Sequence, residues 1–209
     1  MTAREEVLGR IRAALGPQPT TPAVPREYRG AGSGALGSPD LVERFCDRVA
    51  DYRATVRRIS EDDVEANIAA ACAERGSKRI AVAPGAPWEP RGVEIVRDGP
   101  EREARKLDRV DAALTGCAVA VAETGTIALD GDQLCGRRAL TLIPDHHICV
   151  VREDQVVADV PDAIAALSDA ARAGRPVTLV SGPSATSDIE LQRVEGVHGP
   201  RRLDVVVIA

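Results

Sequence analysis

A carboxylate stands directly behind a run of small apolar residues in this 209-residue chain: Ala118-Val119-Ala120-Val121-Ala122 leads into Glu123-Thr124-Gly125-Thr126. A continuously apolar run predicts a strand covered on both faces, which places Glu123 at a strand end. There, desolvation raises a carboxyl pKa or a cation holds the group charged. Glu123 is therefore a candidate catalytic group. Thr124 and Gly125 are candidate ligand contacts, because Gly125 lets the backbone approach a bound molecule. The competing reading is an ion pair of Glu123 with an Arg and a bulge at Gly125.

A second loop, Ser181-Gly182-Pro183-Ser184-Ala185-Thr186-Ser187-Asp188, lies between a predicted strand and a predicted helix. Its hydroxyls, glycine and helix N–H groups are of the type that cradles an anion, with Gly182, Ser184, Thr186 and Asp188 as candidate binding residues. It has neither the P-loop nor the dinucleotide glycine pattern. A plain N-cap by Ser184, Thr186 or Ser187 uses the same side chains. Downstream, His198 sits in Gly196-Val197-His198-Gly199-Pro200-Arg201-Arg202 and is a candidate general base or acid-binding donor. Gly199 and Arg201 are candidate anion contacts. His146 and His147 follow Asp145, with Cys149 nearby. Adjacent residues on a strand point to opposite faces, and no second cluster completes a tetrahedral set, so no metal site is assigned.

These loops need a scaffold. Val7, Leu8, Ile11 and Leu15 recur at helical spacing over 2–15, ended by Gly16-Pro17. A Pro- and Gly-rich arm follows to about 37. Ser38-Pro39 starts the main body with a helix whose stripe is Leu41, Val42, Phe45, Val49 and Tyr52. Ser60 opens another helix, with Val64, Ile68 and Cys72 inward and Gly76 at its end. A third helix is expected over 103–115, a fourth over 161–173 and a short one near 187–194. Strands are expected at 56–59, 78–83, 93–96, 118–122, 126–129, 148–151, 177–180 and 203–208. The alternation predicts an α/β sheet, mixed because of the hairpin-like 118–151 region. In such sheets, ligands bind beyond the carboxyl ends of strands.

Composition removes several function classes. Aromatics are 2%, only Tyr28, Phe45, Tyr52 and Trp88, which leaves no stacking platform for single-stranded nucleic acid. A net charge of −5 disfavours polyanion binding generally. The 27 cations are Arg apart from Lys78 and Lys106, so an anion site would use Arg. Five cysteines without a CxxC exclude a disulfide framework or a cluster-binding run and suit reduced thiols in a cytoplasmic protein. Met1 to Leu15 carries Glu5 and Glu6 and no apolar h-region, reading as no targeting peptide, and no apolar run is long enough to span a membrane.

Three ordered segments together resemble the LUD domain family: Ala122-Glu123-Thr124-Gly125-Thr126-Ile127, Leu142-Ile143-Pro144-Asp145-His146-His147-Ile148-Cys149-Val150-Val151, and Ser181 to Glu190 with Gly196-Val197-His198-Gly199-Pro200. The motif residues are Glu123, Thr124, Gly125, His147, Gly182, Ser184, Thr186, Asp188, His198 and Gly199, with His146 beside the motif histidine. The resemblance implies a three-layer α/β fold like that of ribose-5-phosphate isomerase and the CoA transferases. It divides the chain into an N-terminal helix and arm, 1–37, and a LUD-type domain, 38–209. It further implies a non-redox part in oxidising L-lactate to pyruvate, with no cofactor in this chain and iron–sulfur clusters in two partner proteins. A small carboxylate- or phosphate-bearing ligand is expected at the Ser184 and Thr186 loop, with Glu123 and His198 close by. Two alternatives stay open. Glu123 is the nucleophile of an acyl- or CoA-transferase-like enzyme, or the chain is a ligand-sensing scaffold whose helix 2–15 meets a partner or a second copy in a homo-oligomer.

Overall fold

The computed structural model describes residues 2–17, 23–30, 32, 34–186, 194–196 and 198–209. The expected helix over 187–194 and the candidate Asp188 lie outside these, apart from Val194, which belongs to a strand. The first helix, α1 (Ala3–Leu15), is built locally: Thr2 and Glu5 form a reciprocal capping box and Gly16 closes the end, yet none of its residues is buried. Helix α2 (Pro39–Asp51) starts on its proline and buries Leu41, Val42, Phe45 and Val49. Tyr52 falls just past the helix end and is exposed rather than continuing that stripe. Strand β1 (Thr55–Ile59) leads to helix α3 (Val64–Arg75), which buries Val64, Ile68, Ala71 and Cys72 and stops at Gly76.

Strands β2 (Arg79–Val82) and β3 (Glu94–Arg97) follow. The helix expected over 103–115 is only a short 3-10 helix, Ala104–Arg109, and then strand β4 (Ala112–Thr115), whose four residues are fully buried. Ala and Leu favour helix locally, but a slot between two parallel strands overrides that weak preference. The Asp111 carboxylate fixes the entry by accepting the N–H groups of Lys78 and Arg79. Strands β5 (Val119–Val121) and β6 (Thr126–Leu129), helix α4 (Arg138–Leu142), strand β7 (His146–Arg152) and the short β8 (Val156–Val157) come next. The expected helix 161–173 is two helices, α5 (Val160–Ala166) and α6 (Ser168–Arg172), parted at Leu167, which is buried against β5 and β6. Strands β9 (Thr178–Val180), β10 (Ala185–Thr186), β11 (Val194–Glu195) and β12 (Arg202–Ile208) complete the order.

Six strands form one parallel sheet in the order β1-β12-β7-β4-β2-β3. The hairpin β5–β6 does not join it. It makes a separate sheet, β8-β5-β6-β9, in which β5 and β8 are parallel and the other pairs antiparallel. Alternation along the strands sorts the core. Ile148, Val150, Val206 and Ile208 pack with α3, whereas Cys149, Val151, Leu203, Val205 and Val207 pack with α2 and with Ala120, Ile127 and Leu129 of the second sheet. The other face of that sheet, Val119, Val121 and Ala128, is covered by Ala163 and Leu167. The parallel sheet thus lies between α3 on one side and α2 with the small sheet on the other. The arm is fastened on this outer side, where the Gly32 N–H donates to Asp162 and the Gly37 N–H to the Val156 carbonyl.

Candidate functional site

Strand β9 ends beside the amino ends of β7 and β12, because the small sheet stacks across that face of the parallel one. The loop leaving β9 therefore crosses His147 and Leu203. Together they enclose a cavity of about 240 Å3, lined by Thr141, Leu142, His147, Thr178 to Ala185, His198, Gly199, Pro200 and Leu203. It lies past the carboxyl end of β9, as the sequence places the Ser181 loop, but at the amino ends of the parallel strands rather than their carboxyl ends. At those ends lies a groove lined by Glu61, Glu153 and Asp154 against Arg152, and the arm closes over it with Leu36 and Gly37. That groove is ill suited to an anion, since three carboxylates face one guanidinium.

Ser184 is pinned on three sides. Its N–H donates to the Pro200 carbonyl at 2.8 Å, its carbonyl accepts from Gly196, and its Oγ accepts from the His198 N–H at 3.2 Å. These bonds bring the two predicted segments, Ser181–Ser184 and His198–Pro200, to one wall. Gly182 has φ +82, and a Cβ there would sit 2.5 Å from that of Tyr52, so only glycine lets the loop lie on the end of α2. Opposite, His147 is 2% exposed. Its Nε2 is 2.8 Å from the Thr115 hydroxyl. Burial, with a smaller contribution from His146, pushes its pKa down to about 3. It is a neutral wall of the cavity, able to give or take one hydrogen bond per ring nitrogen.

The neighbouring His146 faces the other way. Its Nε2 meets Asp204 at 2.7 Å, its Nδ1 is 3.4 Å from Ser77, and Arg57 and Arg75 add charge to the same carboxylate. Burial works to raise the Asp204 pKa, but the His146 hydrogen bond and the two guanidiniums outweigh it and hold it low. The two histidines cannot share an ion, as strand alternation requires.

Glu123 is absent from the cavity lining. Its carboxylate is gripped by Arg29 of the arm at 3.1 and 2.6 Å, and Asp159 stands 3.6 Å from the same guanidinium. The Arg29 hydrogen bond, opposed by partial burial, keeps Glu123 below the usual carboxylate range. Gly125, at φ +60, would bring a Cβ within 2.8 Å of the backbone of Arg48 and Val49. It serves the close approach of its loop to α2. Hydroxyls nevertheless link this loop to the cavity: Thr124 Oγ1, Thr126 Oγ1 and Ser181 Oγ follow one another at 2.7 Å each. Arg201 also departs from expectation, pairing with Asp145 at 3.3 Å outside the lining. Among the described lining residues none is Arg or Lys. Thr186 lies in β10 next to the lining residue Ala185 and is not itself in the lining; its side chain, like Asp188, is outside the described residues.

His147, Gly182, Ser184, His198 and Gly199, five of the residues that carry the resemblance, line this cavity. The LUD domain family matches residues 42–208. The chain belongs to the LUD domain family. A LUD relative from Deinococcus radiodurans, named Lactate utilization protein C, is 51% identical over 83% of this chain and 82% of its own length. The Escherichia coli protein called Uncharacterized protein YkgG is 25% identical over 100% of this chain and 99% of its own. The crystal structure of a DUF162 family protein from Deinococcus radiodurans shares the fold with a TM-score of 0.71 and 45% identity, covering 81% of this chain and 97% of that one. Several residues at or near the cavity escaped the sequence reading. Thr115, the partner of His147, was detectable as a polar residue behind the apolar run Ala112–Leu114, and Asp204, on the opposite face with His146, as a polar residue inside the run Leu203–Ile208. Thr141, Leu142 and Leu203 gave no such signal, being ordinary core types.

Proposed function

We propose that this chain is a non-redox component of an L-lactate to pyruvate oxidation system and that its cavity binds a small carboxylate. The observation that carries the reading is the convergence of His147, Ser184 and His198, from three separate segments, on one half-open cavity. The name of the 51% identical relative supports the lactate role. The neutral lining favours a monoanion over a phosphate, since a dianion in a partly dry site calls for a formal cation. Electron transfer then falls to iron–sulfur partner proteins, in the cytoplasm, because a chain without CxxC has no cluster-binding run. Calorimetric titration with L-lactate, pyruvate and inorganic phosphate tests this. Binding of the organic acids, weakened about tenfold or more in Ser184→Ala with the melting temperature kept, is expected. Tighter binding of phosphate, or of nothing, overturns it.

The exposed stripe Val7, Ile11 and Leu15 on α1 favours a second role for the same protein, as a subunit that docks on a partner through its N-terminal helix. Deleting residues 1–37 is expected to abolish co-purification with the iron–sulfur proteins while acid binding persists. Retained co-purification removes the docking role. The acyl-transfer reading gains nothing from the geometry, because Arg29 occupies the Glu123 carboxylate.

A further inference from the structure

Three hydroxyls run in single file from the molecular surface to the cavity. Thr124 lines a shallow surface groove with Glu123, Arg48, Asp51 and Tyr52. Thr126 is buried at the start of β6, and Ser181 lines the cavity. Both links are 2.7 Å, the optimum for O–H···O. Each hydroxyl owns one hydrogen and accepts at its lone pairs. Three hydrogens serve two internal bonds, so one is spare. It sits at one end of the file unless Thr124 and Ser181 both donate to Thr126, an arrangement that leaves the buried Thr126 hydrogen without an acceptor among the described contacts. When the bonds run Thr124 to Thr126 to Ser181, the spare hydrogen is on Ser181 and points to the cavity as a donor. When they run the other way, Ser181 donates inward to Thr126 and offers only lone pairs to the cavity, while the spare hydrogen reaches the surface at Thr124. Concerted rotation of three O–H bonds interconverts the states. No proton changes oxygen, and both internal bonds survive.

We infer that the Thr124–Thr126–Ser181 file is a polarity-reversible contact, by which one cavity holds both a 2-hydroxy acid and the corresponding 2-oxo acid. A ketone oxygen only accepts and is met by Ser181 as donor. An alcohol also donates and is met by Ser181 as acceptor. A fixed donor, such as an Arg or a backbone N–H, cannot serve the donating hydroxyl, and a site built around one oxygen type rejects the other by leaving a buried group unpaired. Thr126 is the positioning residue: it touches no ligand, and it ties Ser181 to a partner in either state. This rests on the small-carboxylate reading of the cavity.

The test is titration of the full chain and of Thr126→Val, Thr126→Ser and Ser181→Ala with L-lactate and with pyruvate. The unaltered protein is expected to bind the two acids within about tenfold of each other. Thr126→Val weakens both by about threefold to tenfold, and Thr126→Ser, which keeps the hydroxyl, restores both to within about twofold. Ser181 is exposed on a loop, so Ser181→Ala gives the same loss in a folded protein should the buried valine disturb folding. A preference of more than about a hundredfold for one acid overturns the inference, as does unchanged affinity in both Thr126→Val and Ser181→Ala; in either case the carboxylate site itself stands. If the unaltered protein binds neither acid, the reading beneath it falls and the inference falls with it.

Discussion

His146 and His147 are consecutive and equally buried, and they live in different chemical settings on the two faces of one strand. His146 looks toward α3, where Asp204, Ser77, Arg57 and Arg75 surround it with matched charge and hydrogen bonds. His147 looks toward the small sheet, where the Thr115 hydroxyl and the cavity are its neighbours. Buried polarity of the first kind is closed on itself and holds strands β1, β7 and β12 in register with α3. Buried polarity of the second kind borders on empty space and is available to a ligand. Burial of a histidine alone does not distinguish these roles; the number and charge of its partners do.

The contrast is easiest to break on the closed side. Asp204→Ala removes the central acceptor and leaves the buried His146 without its carboxylate partner, while Arg57 keeps Glu74, so a loss of about 3–5 kcal/mol in unfolding free energy is expected by urea denaturation. Carboxylate affinity of the folded fraction is expected to stay unchanged. A loss under about 1 kcal/mol would mean that the network is not a structural one. On the open side, the signature is pH dependence. The His147 pKa is near 3 in the folded protein against 6.5 for an ordinary imidazole. Its contribution to stability is complete above 6.5. As pH falls through the interval toward 3, the unfolded chain takes up a proton that the folded one refuses, and stability drops by up to about 1.4 kcal/mol per pH unit. His147→Gln is expected to flatten the dependence between pH 6 and 4 in denaturation curves; an unaltered slope would place the proton elsewhere. The smallest effect belongs to neither histidine. Arg29→Ala cuts an exposed pair on the arm, so the unfolding midpoint is expected to move little, and raised salt should reproduce whatever shift is seen.

Helices α2 and α3 were legible from residue types because amphipathic stripes, a proline start and a glycine stop all agreed there. Strands β7 and β12 were legible as apolar runs, though not their amino ends, where His146, His147 and Arg202 disguise the strand. Ala112–Thr115 reads as helix because its fate is set by β2 and β7, which are distant in sequence. The Ser184 loop and His198 were recognisable as site material from glycines and hydroxyls in unusual density. Their distance from Glu123 was not, since it depends on the hairpin β5–β6 leaving the main sheet, and no local pattern encodes which sheet a strand joins. The grip of Arg29 on Glu123 spans 94 residues and was foreseen only as an unnamed Arg partner.

Helix α1 has a consequence of a different kind. Its 13 residues are stabilised by one capping box and by an Arg10–Glu6 pair, and by no buried side chain. A lone helix of that length is marginal in water. In the isolated protein its amides should therefore exchange with deuterium almost as fast as those of a free peptide, while β7 and β12 remain protected for as long as the domain stays folded. Slowing of that exchange, confined to residues 3–15, would be a direct footprint of whatever the helix meets.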